Sequence, residues 1–126
     1  MSTNPVSDDR IFSMDRAELD AYPDGVITLD RQGIIKRYNR AEARLARRNQ
    51  DETIGLNFFR DVAPCTAVQD FQGRFDAFAA KKDTAVERFD FTFRFAWGVQ
   101  DVGITMIRKT GLDDINLLVS VRSKNV

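Results

Sequence analysis

Hydrophobic and polar residues alternate strictly over residues 89–97, where phenylalanine occupies every second position and Trp97 ends the run. A period of two is typical of a β-strand, and here it gives one strongly aromatic face. Shorter apolar runs predict two further strands at residues 101–109 and 115–121, with a turn at residues 110–114 between them. The C-terminal third of the chain is therefore predicted to form three consecutive strands.

A second pair of strands is predicted nearer the start of the chain. Residues 26–29 and 34–38 contain Val, Ile and Leu, and the sequence Asp-Arg-Gln-Gly between them favours a tight turn. These residues are predicted to form a β-hairpin that ends at Tyr38.

The pattern becomes helical after the hairpin. Asn39 is suited to cap a helix over residues 41–48, and Glu42 at the third helical position is suited to complete a variant capping box. Residues 51–55 and 57–62 predict two further short helical turns.

The longest helix is predicted at residues 68–82, because Phe71, Phe75 and Phe78 recur at the spacing of one helical face. Cys65 falls in the loop just before this helix.

The predicted order of elements is two strands, several helices and three strands. This order favours an α+β domain with a five-stranded antiparallel sheet and helices packed on one face. Residues 1–22 are mostly polar and predict an N-terminal extension that docks loosely, with one short helix. The folded domain is then predicted at residues 23–126.

The composition excludes several classes of function. The chain has 126 residues with no histidine and one cysteine, so it offers no imidazole base, His-ligated metal, internal disulfide or thiolate cluster. Its 19 basic and 19 acidic side chains give a net charge of zero, and we expect neither nucleic acid nor membrane as a partner. A lone cysteine without a signal sequence predicts a cytoplasmic protein.

Several motifs resemble those of a known family. Residues 24–30, followed by Gly-Ile-Ile and Tyr-Asn, resemble the opening of the PAS fold. The sharper resemblance lies in Tyr-Asn-Arg-Ala-Glu at residues 38–42, Asn-Phe-Phe-Arg-Asp-Val-Ala-Pro-Cys-Thr at residues 57–66 and Phe-Gln-Gly-Arg-Phe at residues 71–75. Together these motifs are similar to those of photoactive yellow protein, and the long run around the cysteine is the most specific.

The resemblance implies a blue-light photoreceptor that carries p-coumaric acid (4-hydroxycinnamic acid) as a thioester on Cys65. In that family a tyrosine and a protonated glutamate donate hydrogen bonds to the buried phenolate, and by motif these roles fall on Tyr38 and Glu42. Arg48 matches the family's arginine that covers the pocket. The motifs also assign four further residues to the chromophore site: Ala46, Phe58, Ala63 and Pro64.

This assignment is consistent with the chemistry of a buried phenolate. Burial disfavours the charged form of a phenol, whose pKa in water is about 10. Hydrogen bonds from Tyr38 and a neutral Glu42 would oppose that penalty by roughly 1.5–3 kcal/mol each. Light-driven isomerisation would then let Glu42 pass its proton to the phenolate, and the charge left in the core would loosen the fold. The polar N-terminal segment is the part expected to detach.

Three departures from the family pattern carry expectations of their own. Ala46 replaces a threonine whose hydroxyl bonds the tyrosine, so we expect weaker polarisation of Tyr38 and a shifted absorption band. The methionine associated with fast recovery has no clear counterpart in residues 97–101, so we expect slow recovery of the dark state. Asp24 replaces an apolar residue, which leaves the docking of the N-terminal segment open.

Each residue also has a simpler interpretation. A lone cysteine is usually a small buried apolar residue, and Glu42 could be an exposed capping partner of Asn39. Tyr38 could be an ordinary core residue, and the aromatic stripe is most simply a sheet face packed on helices. Arg47 and Arg48 are by default surface charges.

The main hypothesis is a light sensor, not an enzyme, that acts as a monomer or weak dimer on a separate, unidentified signalling protein. The alternative is a PAS sensor or interaction module with Cys65 as a free thiol, which binds another small ligand or a protein. A structural dimerisation domain is a weaker alternative. An enzyme is the weakest, because no acid–base pair is evident beyond Tyr38 and Glu42.

Overall fold

The computed structural model describes residues 8–122, and within them it contains the predicted five-stranded antiparallel sheet. The strands are β1 (Gly25–Leu29), β2 (Ile35–Tyr38), β3 (Ala85–Phe95), β4 (Gly98–Arg108) and β5 (Ile115–Val121). They lie in the order β2-β1-β5-β4-β3, and every neighbouring pair is antiparallel. The segment between β2 and β3 therefore joins the two edges of the sheet.

The helices of the described residues are short. They are α1 (Asp8–Ser13), α2 (Arg16–Ala21), α3 (Arg40–Ala46) and α4 (Arg74–Ala79), with π-helical turns at Phe58–Val62 and Gln69–Gly73 and 3-10 turns at Asp51–Thr53 and Pro64–Thr66. Cys65 thus lies in a 3-10 turn rather than in the open loop predicted for it. Proline at the first position of that turn sets the backbone angle that a helical start requires.

The helix predicted at residues 68–82 is shorter than expected. It consists of the π-helical turn Gln69–Gly73 followed by α4, which ends at Ala79. The guanidinium of Arg108, from the end of β4, donates a hydrogen bond to the carbonyl oxygen of Phe78. This bond satisfies a carbonyl of the last helical turn, in addition to the backbone N–H of Lys81, and so stabilises the helix end at this point.

Phe71 lies at the centre of the core between the helical segment and the sheet. Its ring contacts Phe89 and Phe91 edge-on, at centroid distances of 5.2 and 5.0 Å, and stacks on Phe93 at 6.4 Å. Such aromatic pairs add about 0.5–1.5 kcal/mol each beyond the area they bury. The predicted packing of the aromatic stripe against helices is confirmed for these three rings of β3.

The N-terminal helices α1 and α2 cover the other face of the sheet. Two helices form here where one was expected, and Ile11 and Leu19 are buried with Val26 of β1 in a small second core. Since neighbouring residues of a strand point to opposite faces, Val26 contacts these helices while Ile27 belongs to the main core. Strand β1 is accordingly buried along its whole length. The rest of the predicted extension, residues 1–7, lies outside the described residues, as do residues 123–126.

Polar side chains at the end of β2 hold the N-terminal helices to the sheet. The Arg37 guanidinium donates to the carbonyl oxygens of Ile11 and Met14, each at 2.9 Å. The Asn39 side-chain amide donates to the carbonyl oxygen of Leu19 at 2.8 Å. The helices are therefore fixed through their backbone and not only through two apolar side chains.

Asn39 also begins α3. Its Oδ1 accepts hydrogen bonds from the backbone N–H groups of Val26 at 2.9 Å and Glu42 at 3.1 Å. The predicted capping box is wrong in its second half, because the backbone N–H of Asn39 donates to the carbonyl of Val26 instead of to the Glu42 carboxyl. Asn39 thus connects α2, β1 and α3.

Replacing Asn39 by alanine is expected to destabilise the protein by about 2–4 kcal/mol, because a helix cap and further buried hydrogen bonds are lost together. Urea unfolding measures this loss, and limited proteolysis should show faster cleavage within residues 8–21. The control is Asn49→Ala, which removes two exposed hydrogen bonds from the backbone N–H groups of Asp51 and Glu52 and should change stability by less than about 1 kcal/mol. Equal losses in the two variants would contradict the central role of Asn39.

Candidate functional site

Cys65 borders a cavity of about 280 Å³ where three segments of the chain meet. These segments are the end of α3, the stretch that follows the π-helical turn Phe58–Val62, and the end of β3 with its turn into β4. The cavity is lined by five of the eight residues predicted for the site: Ala46, Arg48, Ala63, Pro64 and Cys65. The structure therefore brings these five together around one space.

The Cys65 side chain is only partly buried, and its thiol is free. Its Sγ accepts a hydrogen bond from the backbone N–H of Arg94 at 3.4 Å, which holds the turn against β3. The Thr66 hydroxyl donates to the carbonyl oxygen of Ala63 at 2.6 Å and closes the turn from its other end. The turn therefore presents a thiol that a reagent can reach from the cavity, unlike the fully buried cysteine of the simpler interpretation.

Glu42 is buried in the adjoining core and is not the exposed capping partner that the simpler interpretation offered. Its side chain is 2% exposed, and its Oε1 has no hydrogen-bond partner in the structure. Burial raises the pKa of the carboxyl to about 8, because the charged form loses its hydration. The carboxyl is therefore mostly neutral at pH 7.

Gly25, at the start of β1, makes room for the Glu42 carboxyl. A Cβ atom at residue 25 would lie 2.2 Å from Glu42 Oε1 and 3.2 Å from the Cβ of Val119 on the paired strand β5. Any other residue would force the carboxyl to move. The sequence offered no signal for this role, because the contact joins segments that are distant along the chain.

Tyr38 is the second buried polar group without a partner. Its ring is 3% exposed, and its Oη makes no hydrogen bond. Burial raises the pKa of the Tyr38 hydroxyl, the nearby Glu42 charge raises it further, and the positive charge of Arg48 opposes both. A buried hydroxyl left without a partner costs roughly 1–3 kcal/mol. Tyr38 and Glu42 are called here the Tyr38–Glu42 pair. As long as they have no hydrogen-bond partner, they lower the stability of the protein.

The Tyr38–Glu42 pair and Phe58 are not among the residues that line the Cys65 cavity, but they adjoin it. Glu42 and Ala46 are four residues apart on α3 and so share one face of that helix. Tyr38 and Phe58 belong to the main core, against which Cys65 packs. The site thus has a cavity with the thiol at its edge and two unpaired polar groups in the core beside it.

Arg47 lines the cavity together with Arg48, the one arginine for which a covering role was expected. Both arginines are exposed at the end of α3, and both line the cavity. The Arg47 guanidinium lies 4.2 Å from the centroid of the Trp97 ring, and Trp97 stacks on Phe95 at 4.9 Å. From the sequence Arg47 is expected to be a surface charge, although the aromatic stripe contains Trp97, the ring over which its guanidinium lies.

The chemistry of the residues present fits a ligand that is bound through sulfur and carries a negatively charged oxygen. A thiol at a cavity edge permits a thioester, and two buried donors without partners suit a buried oxyanion. Within residues 8–122 we find no group of three or more His, Cys, Asp or Glu side chains that could hold a metal ion. In the same range no helix is long and apolar enough to span a bilayer.

Comparisons with known proteins agree with this fold. Residues 19–122 match the family described as PAS fold. The chain is 35% identical over 105 residues to the photoactive yellow protein of Cereibacter sphaeroides, with 83% of this chain and 82% of that protein covered. It is 38% identical over 95 residues to the photoactive yellow protein of Rhodothalassium salexigens, with 75% of each covered.

A solved structure is also similar over nearly the whole chain. It is the photoactive yellow protein domain of a sensor histidine kinase from Rhodospirillum centenum, with a TM-score of 0.81 and 41% sequence identity. The similarity covers 91% of this chain and 98% of that one.

The stability of the protein without ligand is expected to fall as the pH rises from about 5 to 8. In this range folded Glu42 keeps its proton, whereas an unfolded glutamate, with a pKa of about 4.3, has lost it. Rising pH therefore favours the unfolded chain, by up to about 1.4 kcal/mol per pH unit. Glu42→Gln should remove this slope in urea unfolding, while Glu52→Gln, at an exposed position, should keep it. An unchanged slope in Glu42→Gln would show that another group titrates.

Proposed function

The chain belongs to the photoactive yellow protein family, and from this we propose that it is a light sensor carrying p-coumaric acid as a thioester on Cys65. The observation that carries the proposal is the Tyr38–Glu42 pair, two buried groups without partners beside a cavity that contains the thiol. Native proteins rarely leave buried polar groups unpaired. A phenolate oxygen would satisfy both.

Each residue of the site has a role in this proposal. When bound, the p-coumaroyl group supplies absorption of blue light, trans-to-cis isomerisation and a phenolate. Cys65 holds it through sulfur, and Tyr38 and Glu42 donate hydrogen bonds that contribute roughly 1.5–3 kcal/mol each to keeping the oxygen ionised. The positive charge of Arg48 favours the same ionised form. Three of the remaining site residues, Ala46, Ala63 and Pro64, line the cavity, and Phe58 lies in the main core against which Cys65 packs.

Glu42 is the residue suited to store and release a proton. Its pKa of about 8 keeps the proton on the carboxyl at neutral pH. Release of that proton would leave a buried carboxylate whose Oε1 has no partner, at a penalty of several kcal/mol. A domain of this size is stable by only about 5–15 kcal/mol, so this charge is large enough to loosen the fold.

The N-terminal helices are the part of the protein suited to respond. The backbone N–H of Glu42 is bound to Asn39 Oδ1, and the Asn39 amide holds the carbonyl of Leu19 in α2. A shift at the start of α3 is thereby transmitted to α2 through one side chain. We propose that residues 1–22 act as a cap that detaches from the domain of residues 23–126.

The released cap or the surface beneath it would then be read by a separate signalling protein in the cytoplasm, where a lone thiol stays reduced. The relative from Rhodospirillum centenum is a domain of a sensor histidine kinase, which supports a partner of the signalling class. The site transforms no substrate in this proposal, because the light sensor returns to its starting state.

Treatment with p-coumaric anhydride is expected to add one p-coumaroyl group to the protein. The Cys65 sulfur bonds to a carbonyl carbon, the anhydride C–O bond breaks, and p-coumarate leaves with the thiol proton. Mass spectrometry should locate the adduct on Cys65, the single cysteine of the chain, and a visible absorption band should appear. Cys65→Ala should show neither. A wild-type protein without adduct or band would contradict the proposal and leave a PAS module with a free thiol.

The absorption band of the loaded protein is expected to recover after a flash more slowly than about one second, the slow end of local unfolding and refolding. The reason is that the family's methionine has no clear counterpart among residues 97–101, which were expected to form a loop and in the structure comprise Trp97 and the start of β4. Time-resolved absorption measures the rate, and complete recovery within a second would contradict the expectation.

Ala46→Thr restores the family hydroxyl beside the site and is expected to shift the band.

A further inference from the structure

Arg47 has a backbone conformation that normally favours glycine. Its φ is 56° and its ψ is 49°, and it is the sole non-glycine residue with positive φ between residues 8 and 122. It follows the last residue of α3, a position at which glycine is the usual choice. An arginine there is less favourable for the backbone than glycine, so its side chain is a candidate for a function.

The Arg47 side chain crosses from α3 to the turn between β3 and β4. Its guanidinium lies over the Trp97 ring at 4.2 Å, and Trp97 in turn stacks on Phe95 with an angle of 13° between the rings. All three residues line the cavity that Cys65 borders. This three-layer stack joins two segments that no β-ladder connects, and Trp97 is 39% exposed.

We propose that Arg47 and Trp97 form a latch that closes the cavity beside Cys65 and opens to admit a planar aromatic acyl group. The inference rests on the proposed function in so far as the p-coumaroyl group is that ligand. An exposed cation–π contact is weak, so the latch can open on its own and close again over the bound ring. The latch sets the rate at which aromatic groups reach the thiol.

A second route to the thiol supplies an internal control. Cys65 also borders a wider groove of about 780 Å³, to which Arg47 and Trp97 do not contribute. The groove is lined by charged side chains, among them Asp70, Asp90 and Arg122. Val68, Phe91 and Val102 also line the groove, so it is open to both reagents. A reagent that reaches the sulfur through this groove does not pass Arg47 or Trp97, and its rate should not depend on them.

The test compares two thiol reagents on the protein without ligand. N-phenylmaleimide is planar and aromatic, and the Cys65 sulfur adds to one carbon of its double bond while a proton adds to the other. Iodoacetamide is small and polar, and the sulfur displaces its iodide. Both react with the thiolate, so a change in thiol ionisation would alter both rates equally. Cys65 is the single cysteine and Trp97 the single tryptophan, so both readouts are unambiguous.

Arg47→Gly is the informative variant, because glycine suits the positive φ and should leave the melting temperature equal or higher. We expect N-phenylmaleimide to react roughly two- to fivefold faster, the factor that corresponds to one exposed cation–π contact. The iodoacetamide rate should stay the same, and acrylamide should quench Trp97 fluorescence more efficiently. Trp97→Leu should accelerate N-phenylmaleimide equally, and Arg44→Ala, one turn earlier on α3, should change nothing.

Two results would overturn the latch. One is an unchanged N-phenylmaleimide rate in Arg47→Gly although Trp97 becomes more accessible, and the other is equal acceleration of both reagents. A separate reaction with p-coumaric anhydride distinguishes this inference from the proposed function. The wild-type protein could fail to react with the anhydride while Arg47→Gly still accelerates the reaction with N-phenylmaleimide. This result would contradict the proposed chromophore and support the latch.

Discussion

The burial of one carboxyl group, that of Glu42, is the constraint on which the site depends. Glycine at residue 25 leaves room for the carboxyl against β1, and its Oε1 has no partner there. Burial of the neutral carboxyl has a small free-energy cost. Burial of the charged carboxylate would cost a large part of the free energy of unfolding of a small domain. Proton occupancy of this group and the stability of the fold are therefore linked.

The end of β2 connects that group to the rest of the molecule. Successive residues of a strand point to opposite faces, so Arg37 and Asn39 reach the N-terminal helices while Tyr38 points into the main core. Of these three consecutive residues, Tyr38 belongs to the candidate site, and Arg37 and Asn39 bind the helices of the proposed cap. Asn39 additionally begins the helix that contains Glu42. A change at the site has a short route to the N-terminal helices.

Local patterns in the sequence predicted the features that depend on local physics. The alternation with a period of two predicted strand β3, and the turn residues predicted the β1–β2 hairpin. Asparagine is a common N-cap residue, and this predicted that Asn39 caps α3. Features that depend on distant contacts could not be predicted in this way. An exposed capping glutamate and the buried Glu42 would occupy the same helical position, and they differ in distant contacts such as the approach of Gly25. An arginine near a helix end is common, and its contact with Trp97 cannot be predicted because the two residues are distant along the chain.

Infrared difference spectroscopy on the p-coumaroyl-loaded protein tests the central claim most directly. That claim is that Glu42 is a neutral acid in the dark and gives up its proton in the light. We expect a protonated-carboxyl C=O band in the dark that disappears on illumination, and no such change in Glu42→Gln. A carboxyl band that light leaves unchanged, or the same loss in Glu42→Gln, would contradict the assignment of the proton to Glu42.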